Sequence, residues 1–178
     1  MKQTAMYALA SLLAGACALQ AQNSQTGEVK AQYNNIKNNI TRAADKMPES
    51  DYSFKPTDQI RSFGELVSHI ADTQTRLCGM LSGENLTPNA ASKTSKADLT
   101  AALKASFDAC DKAYNSATDA TANETVGQGR MQRSRVGMLY FNVIHDNEMY
   151  GVMGVYLRLK NIVPPSSEGG GMAGGRGR

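Results

Sequence analysis

Histidine is scarce in this chain. Two copies occur in 178 residues, so any imidazole-based metal or acid–base site can draw only on His69 and His145. Cysteine is nearly as rare, at three copies, and none forms a CxxC pair, which leaves out the usual redox-dithiol pattern. No Gly-rich phosphate loop follows a strand-like run, and no Ser-His-Asp arrangement offers a nucleophilic triad. An excess of one charge is also missing. Lysine and arginine number 19 against 16 acidic residues, with no basic stripe of the kind that neutralises phosphates, so a nucleic-acid partner is not expected. Beyond residue 21 no apolar run approaches the roughly 20 residues needed to cross a bilayer, and no membrane span is expected.

What is present begins with a leader. Lys2 followed by the small, apolar run Ala5 to Ala18 has the length of a signal h-region. Residues 1–21 are therefore expected to be a signal peptide cleaved after Ala21, and the mature chain to be periplasmic or extracellular. Cys17 is not expected to carry a lipid anchor, because Leu13-Ala14-Gly15-Ala16-Cys17 has one residue too many for a lipobox. The two remaining cysteines, Cys78 and Cys110, can pair in an oxidising compartment or pack as two small core thiols. Nothing in the sequence sets their separation, and the expectation is that both are reduced.

Four helical patterns fill the rest. Over residues 25–47, Val29, Tyr33, Ile36, Ile40, Ala43 and Met47 recur every three or four positions until Pro48. The run 49–61 has no helical period. Its Tyr52 and Phe54 read as a strap over one end of a core, with a pocket mouth as the alternative. Ser62 and Glu65 form a capping box for a second helix ending at Gly83, with His69 beside its apolar stripe. Ser95 and Asp98 open a third helix over about 96–120, and residues 118–130 form a loop. The fourth helix runs from near Ser134 to about Lys160 and stops before Pro164-Pro165. It is apolar on more than one face, which predicts burial on most sides, and its interior Gly151 and Gly154 suggest close approach of a helix or ligand. Residues 166–178 form a Gly-rich tail expected to be disordered. The fold class is all-α, a four-helix bundle over 25–165.

Two segments resemble the DinB-like family of helical bundles. One is Phe54-Lys55-Pro56 with Arg61-Ser62-Phe63-Gly64-Glu65-Leu66-Val67-Ser68-His69-Ile70-Ala71-Asp72. The other is His145-Asp146-Asn147-Glu148-Met149-Tyr150-Gly151 with Tyr156-Leu157-Arg158-Leu159-Lys160 and Val163-Pro164-Pro165-Ser166. The resemblance spans about residues 28 to 166. It implies an up-down-down-up bundle, usually a homodimer. It also implies a divalent-metal site of three histidines, one on the second helix and an H-x3-H pair on the fourth. By that correspondence His69 and His145 are metal ligands, and the third position is Met149.

Three readings of this site stand open. Met149 fills the core and the site is lost. A carboxylate completes it, with Asp72, Glu148 and Glu65 at helical spacing from the histidines. Or two imidazoles and a thioether hold copper, particularly Cu(I). The ion would be Zn, Ni or Cu. The resemblance implies metal-dependent chemistry on a small-molecule substrate, of thiol-transferase or hydrolase type. The alternative is a non-catalytic binding or scaffold bundle that has lost its metal.

Overall fold

The computed structural model describes residues 24–168. The expected leader, Cys17 and the tail from Gly169 onward lie outside the described residues.

Each helix starts where a side chain replaces a missing backbone partner. Helix α1 (Gln25–Lys46) begins at Ser24, whose hydroxyl accepts from the Gly27 N–H. Helix α2 (Phe63–Ser82) begins with the complete Ser62/Glu65 capping box and ends at Gly83, whose φ of 70° is the left-handed conformation glycine favours. Helices α3 (Lys96–Ser116) and α4 (Arg135–Leu159) are capped by Ser95 and Ser134. Helix α3 is a few residues shorter than its pattern suggests. The chain turns away so that Asp119 can accept from the backbone N–H and hydroxyl of Thr26 on α1. A two-residue antiparallel ladder, β1 (Thr125–Val126) with β2 (Arg133–Ser134), closes the connection into α4.

Contacts fix the helix directions. Gly64 lies against Leu99 and Cys78 meets Cys110, so α2 and α3 run parallel. The Tyr33 hydroxyl donates to Asp111, and Lys96 donates to the carbonyls of Asp45 and Met47, so α1 opposes α3. His69 meets His145 and Arg135 donates to the Leu81 carbonyl, so α4 opposes α2. The order is up-down-down-up.

The core runs through Tyr33, Ile40, Phe63, Leu103, Phe107, Tyr114, Leu139, Met153 and Leu157, all essentially unexposed. Burying an apolar side chain of this size contributes about 1.5–3 kcal/mol. The buried tyrosines keep their hydroxyls paired, Tyr52 to Ala44 O and Tyr114 to Leu139 O. The 49–61 segment acts as the expected strap. Tyr52 packs edge-on against Phe63, Phe54 packs edge-on against Tyr156, and the Tyr156 hydroxyl donates to the Arg61 carbonyl at 2.7 Å.

Four expectations change. Cys78 and Cys110 are not reduced thiols. They form a disulfide with Cα atoms 5.0 Å apart, and both are fully buried. Parallel packing of α2 on α3 brings two positions in their C-terminal halves into bonding distance, which a separation of 32 residues in sequence does not reveal. Helix α4 is not buried on most sides: Ile144 is 62%, Val155 55% and Leu159 54% exposed, along one face with Tyr140. No neighbour approaches Gly151 within the chain, since a Cβ added there would meet nothing. Finally, order extends past Pro165 into the expected tail. The Ser166 N–H donates to the Tyr150 hydroxyl, and Glu168 pairs with Arg42 and Lys46 of α1.

Candidate functional site

The capping box sets the start of α2 and thereby the angular position of His69 on that helix. Leu66 and Ile70 enter the core, while His69 sits at the edge of the stripe, half-buried. Helix α4 passes antiparallel and presents His145. The two Nε2 atoms lie 3.2 Å apart, with ring centroids 5.2 Å apart and planes inclined by 59°.

Behind His145 stands a carboxylate that the sequence reading passed over. Asp146 is fully buried. Its Oδ1 lies 3.4 Å from His145 Nδ1 and its Oδ2 lies 3.5 Å from Asn142 Nδ2. Asn142 is also fully buried, and its Oδ1 lies 3.0 Å from the Tyr114 hydroxyl. The Tyr114 ring stacks on Tyr33 at 3.8 Å. A line of polar groups thus runs from the histidine pair into the centre of the bundle. Its signal in the sequence is the pair of polar residues, Asn142 and Asp146, four apart and so on one face of α4 with Leu139, Val143, Tyr150 and Met153.

Met149 lies one turn beyond His145 and is half-buried. It lines a groove under the strap with Lys55, Arg61, Leu66 and Tyr156. The carboxylates expected as substitute ligands are largely engaged. Both oxygens of Asp72 accept backbone N–H groups, from Ala90 at 2.8 Å and Ala91 at 3.0 Å. Glu65 accepts from the Ser62 N–H at 2.6 Å. Glu148 is exposed to solvent. Among the described residues, no three His, Cys, Asp or Glu side chains gather into a metal-holding group.

The histidines themselves fit an ion. Ligand nitrogens about 2.0–2.1 Å from a tetrahedral ion lie about 3.3 Å apart, close to the 3.2 Å between the two Nε2 atoms. Two nitrogens are present for the three the resemblance implies, and Met149, third ligand position by sequence, lines the groove under the strap.

The family model described as "DinB superfamily" matches residues 32–153, a span that holds both histidines and Met149. The chain belongs to the DinB superfamily. Solved DinB-like proteins share its architecture. One from Bacillus cereus ATCC 10987 is 15% identical with a TM-score of 0.67, the match covering 77% of this chain and 93% of that one. Another, from Bacillus subtilis, is 18% identical with a TM-score of 0.63, covering 75% of this chain and 92% of that one. Likeness at this identity speaks to the fold alone. No curated protein matches the sequence.

In this DinB-superfamily member the site's electrostatics favour a neutral imidazole on α2. Burial lowers the His69 pKa, the positive charge of Arg61, His145 and Arg76 lowers it further, and Asp72 opposes. Burial has the opposite consequence for Asp146, whose pKa is pushed up to about 6 against the pull of His145. Tyr33 and Tyr114, on neighbouring helices, sense the same carboxylate. With its pKa raised above the ordinary value near 4, Asp146 contributes stability that is fully present below pH 4 and lost as pH rises through about 6. Asp146→Asn is therefore expected to raise the unfolding free energy at pH 8 by on the order of 1–3 kcal/mol and to give no gain at pH 4. Urea unfolding at the two pH values checks this, and a variant less stable than wild type at pH 8 would contradict it.

Proposed function

We propose that this chain is an exported DinB-superfamily bundle in which His69 and His145 share one transition-metal ion, with Met149 as a weak third donor, and that it acts through the ion on a small molecule. The 3.2 Å separation of the two Nε2 atoms carries the reading. Copper is the ion of choice among Zn, Ni and Cu, because imidazole with a thioether suits Cu(I) and both Asp72 and Glu65 spend lone pairs on backbone N–H groups. Such an ion supplies Lewis acidity, which activates a thiol or water in the thiol-transferase or hydrolase chemistry that family resemblance suggests. Two clefts that share Arg61 and Glu65 could admit a small molecule: one lined by His69, Ser68 and Arg76, the other by Lys55, Met149 and Tyr156. Export is supported by the leader-like residues 1–21 and by the buried disulfide, since such bonds persist in oxidising compartments.

The experiment is metal titration of the mature protein with its His69→Ala and His145→Ala variants. One ion per chain, lost in both variants, supports the reading. The second reading, a non-catalytic binding or scaffold bundle, draws on the lack of a third nitrogen donor. It takes over if wild type holds no ion.

A homodimer follows from the same family reading. The apolar face of α4, with Tyr140, Ile144, Val155 and Leu159 around an open Gly151, supports it as an isologous contact in which glycine permits close helix approach. Light scattering is expected to give twice the chain mass for wild type and the single chain mass for Val155→Glu. A monomeric wild type would remove the dimer from the account.

A further inference from the structure

We propose that Asp146 is a positioning residue: it holds the proton of His145 on Nδ1 and thereby aims an unprotonated Nε2 at His69. A neutral imidazole carries one N–H, and the hydrogen bond made by one ring nitrogen decides the role of the other. An ionised carboxylate only accepts. Asp146 Oδ1 faces His145 Nδ1 at 3.4 Å and is fully buried, so water does not compete for the contact.

The carboxylate is itself held. Its other oxygen faces Asn142 Nδ2 at 3.5 Å, and the single Tyr114 hydroxyl proton is shared between Leu139 O at 2.9 Å and Asn142 Oδ1 at 3.0 Å. Stacking of Tyr114 on Tyr33 fixes the far end. Asn142 Nδ2–H faces Asp146 Oδ2, which leaves Asp146 Oδ1 to accept from His145 Nδ1–H.

The two histidines are then unequal. With His145 Nε2 an acceptor, the 3.2 Å contact requires His69 Nε2 to be the donor. In the metal-free protein His145 is the Nδ1–H tautomer and His69 the Nε2–H tautomer. His145 is preorganised as a ligand. His69 must release its Nε2 proton to solvent and take one up at Nδ1 before both lone pairs can face one ion, and its position at a cleft lined by Ser68, Arg61 and Arg76 leaves it room to do so. The ion-binding consequence rests on the proposed function; the tautomer assignment does not.

Nitrogen-15 NMR of the imidazoles in the metal-free mature protein at pH 8 tests it. The expected spectrum has the protonated nitrogen at Nδ1 for His145 and at Nε2 for His69. Asp146→Leu, which removes the acceptor but keeps the site apolar, is expected to give a mixture of tautomers at His145. Asp146→Asn, which retains an acceptor oxygen, restores the Nδ1–H form. In the same series Asp146→Leu lowers the affinity for added Cu(I) or Zn(II) by about 10–100-fold. A wild-type His145 protonated at Nε2 overturns the proposal without recourse to any variant, as does an unchanged tautomer in a folded Asp146→Leu protein. If wild type shows the expected tautomers and binds no ion, the metal reading fails and the positioning role stands. If it binds an ion with the wrong tautomer, the reverse holds.

Discussion

Removing the Cys78–Cys110 disulfide is expected to lower stability by about 3–4 kcal/mol, from the chain entropy released when a loop of this length is opened. The cross-link closes 32 residues of sequence and joins the C-terminal halves of α2 and α3. Those helices form the parallel pair, with α2 carrying His69 and α3 carrying Tyr114. For a bundle of this size the loss corresponds to a fall in Tm on the order of 10 °C. Cys78→Ala/Cys110→Ala, compared with wild type by thermal unfolding, measures it. Because both sulfurs are fully buried, the native bond should resist added reductant until the bundle opens. Intact mass of the denatured, unreduced protein should be two hydrogens lighter than after reduction. A mass unchanged by reduction, or a double variant that melts with wild type, would contradict the prediction. Produced in an oxidising compartment the chain should carry the bond, and in a reducing cytoplasm it should not.

Met149→His is expected to raise metal affinity by about a hundredfold, equivalent to on the order of 3 kcal/mol from one added nitrogen ligand. Position 149 follows His145 by one helical turn, so the new imidazole lies on the same face of α4. It would complete an H-x3-H pair and shift preference from copper toward zinc, since a third nitrogen replaces a soft thioether. Met149 is only half-buried in the groove under the strap, so the stability cost should stay near 1 kcal/mol. Competition titration of wild type and variant with Zn(II) reads the change directly. Equal affinities would mean that position 149 does not face the pair, and the third-donor role of Met149 would fall.

Local chemistry made most of the fold legible. Ser62 with Glu65, Ser95 and Ser134 each announce a helix start, because a missing backbone partner must be supplied by a nearby side chain. The apolar stripes marked which faces meet, and the aromatic pair Tyr52 and Phe54 marked the strap. What depends on relative helix placement was not legible. The disulfide needs α2 and α3 side by side and parallel, and no local pattern fixes that. Helix α4 is apolar on two faces, and sequence cannot say that one of them, through Ile144 and Val155, points outward. Asp72 and Glu65 have helical spacing to His69 that suits a ligand, yet the Ala90–Ala91 backbone and the Ser62 cap take them. Asp146 follows a histidine directly and so points to a different side of α4. Its link to His145 Nδ1 exists only because a buried carboxylate turns toward the few donors available to it.

The most direct test of the shared-ion site is the metal content of the purified mature wild-type protein after exposure to Zn(II), Ni(II) and Cu(I), measured beside His69→Ala and His145→Ala. The account predicts one ion per wild-type chain, copper held most tightly, and none retained in either variant. A wild-type protein that stays metal-free in all three, or an ion retained in either variant, would contradict it.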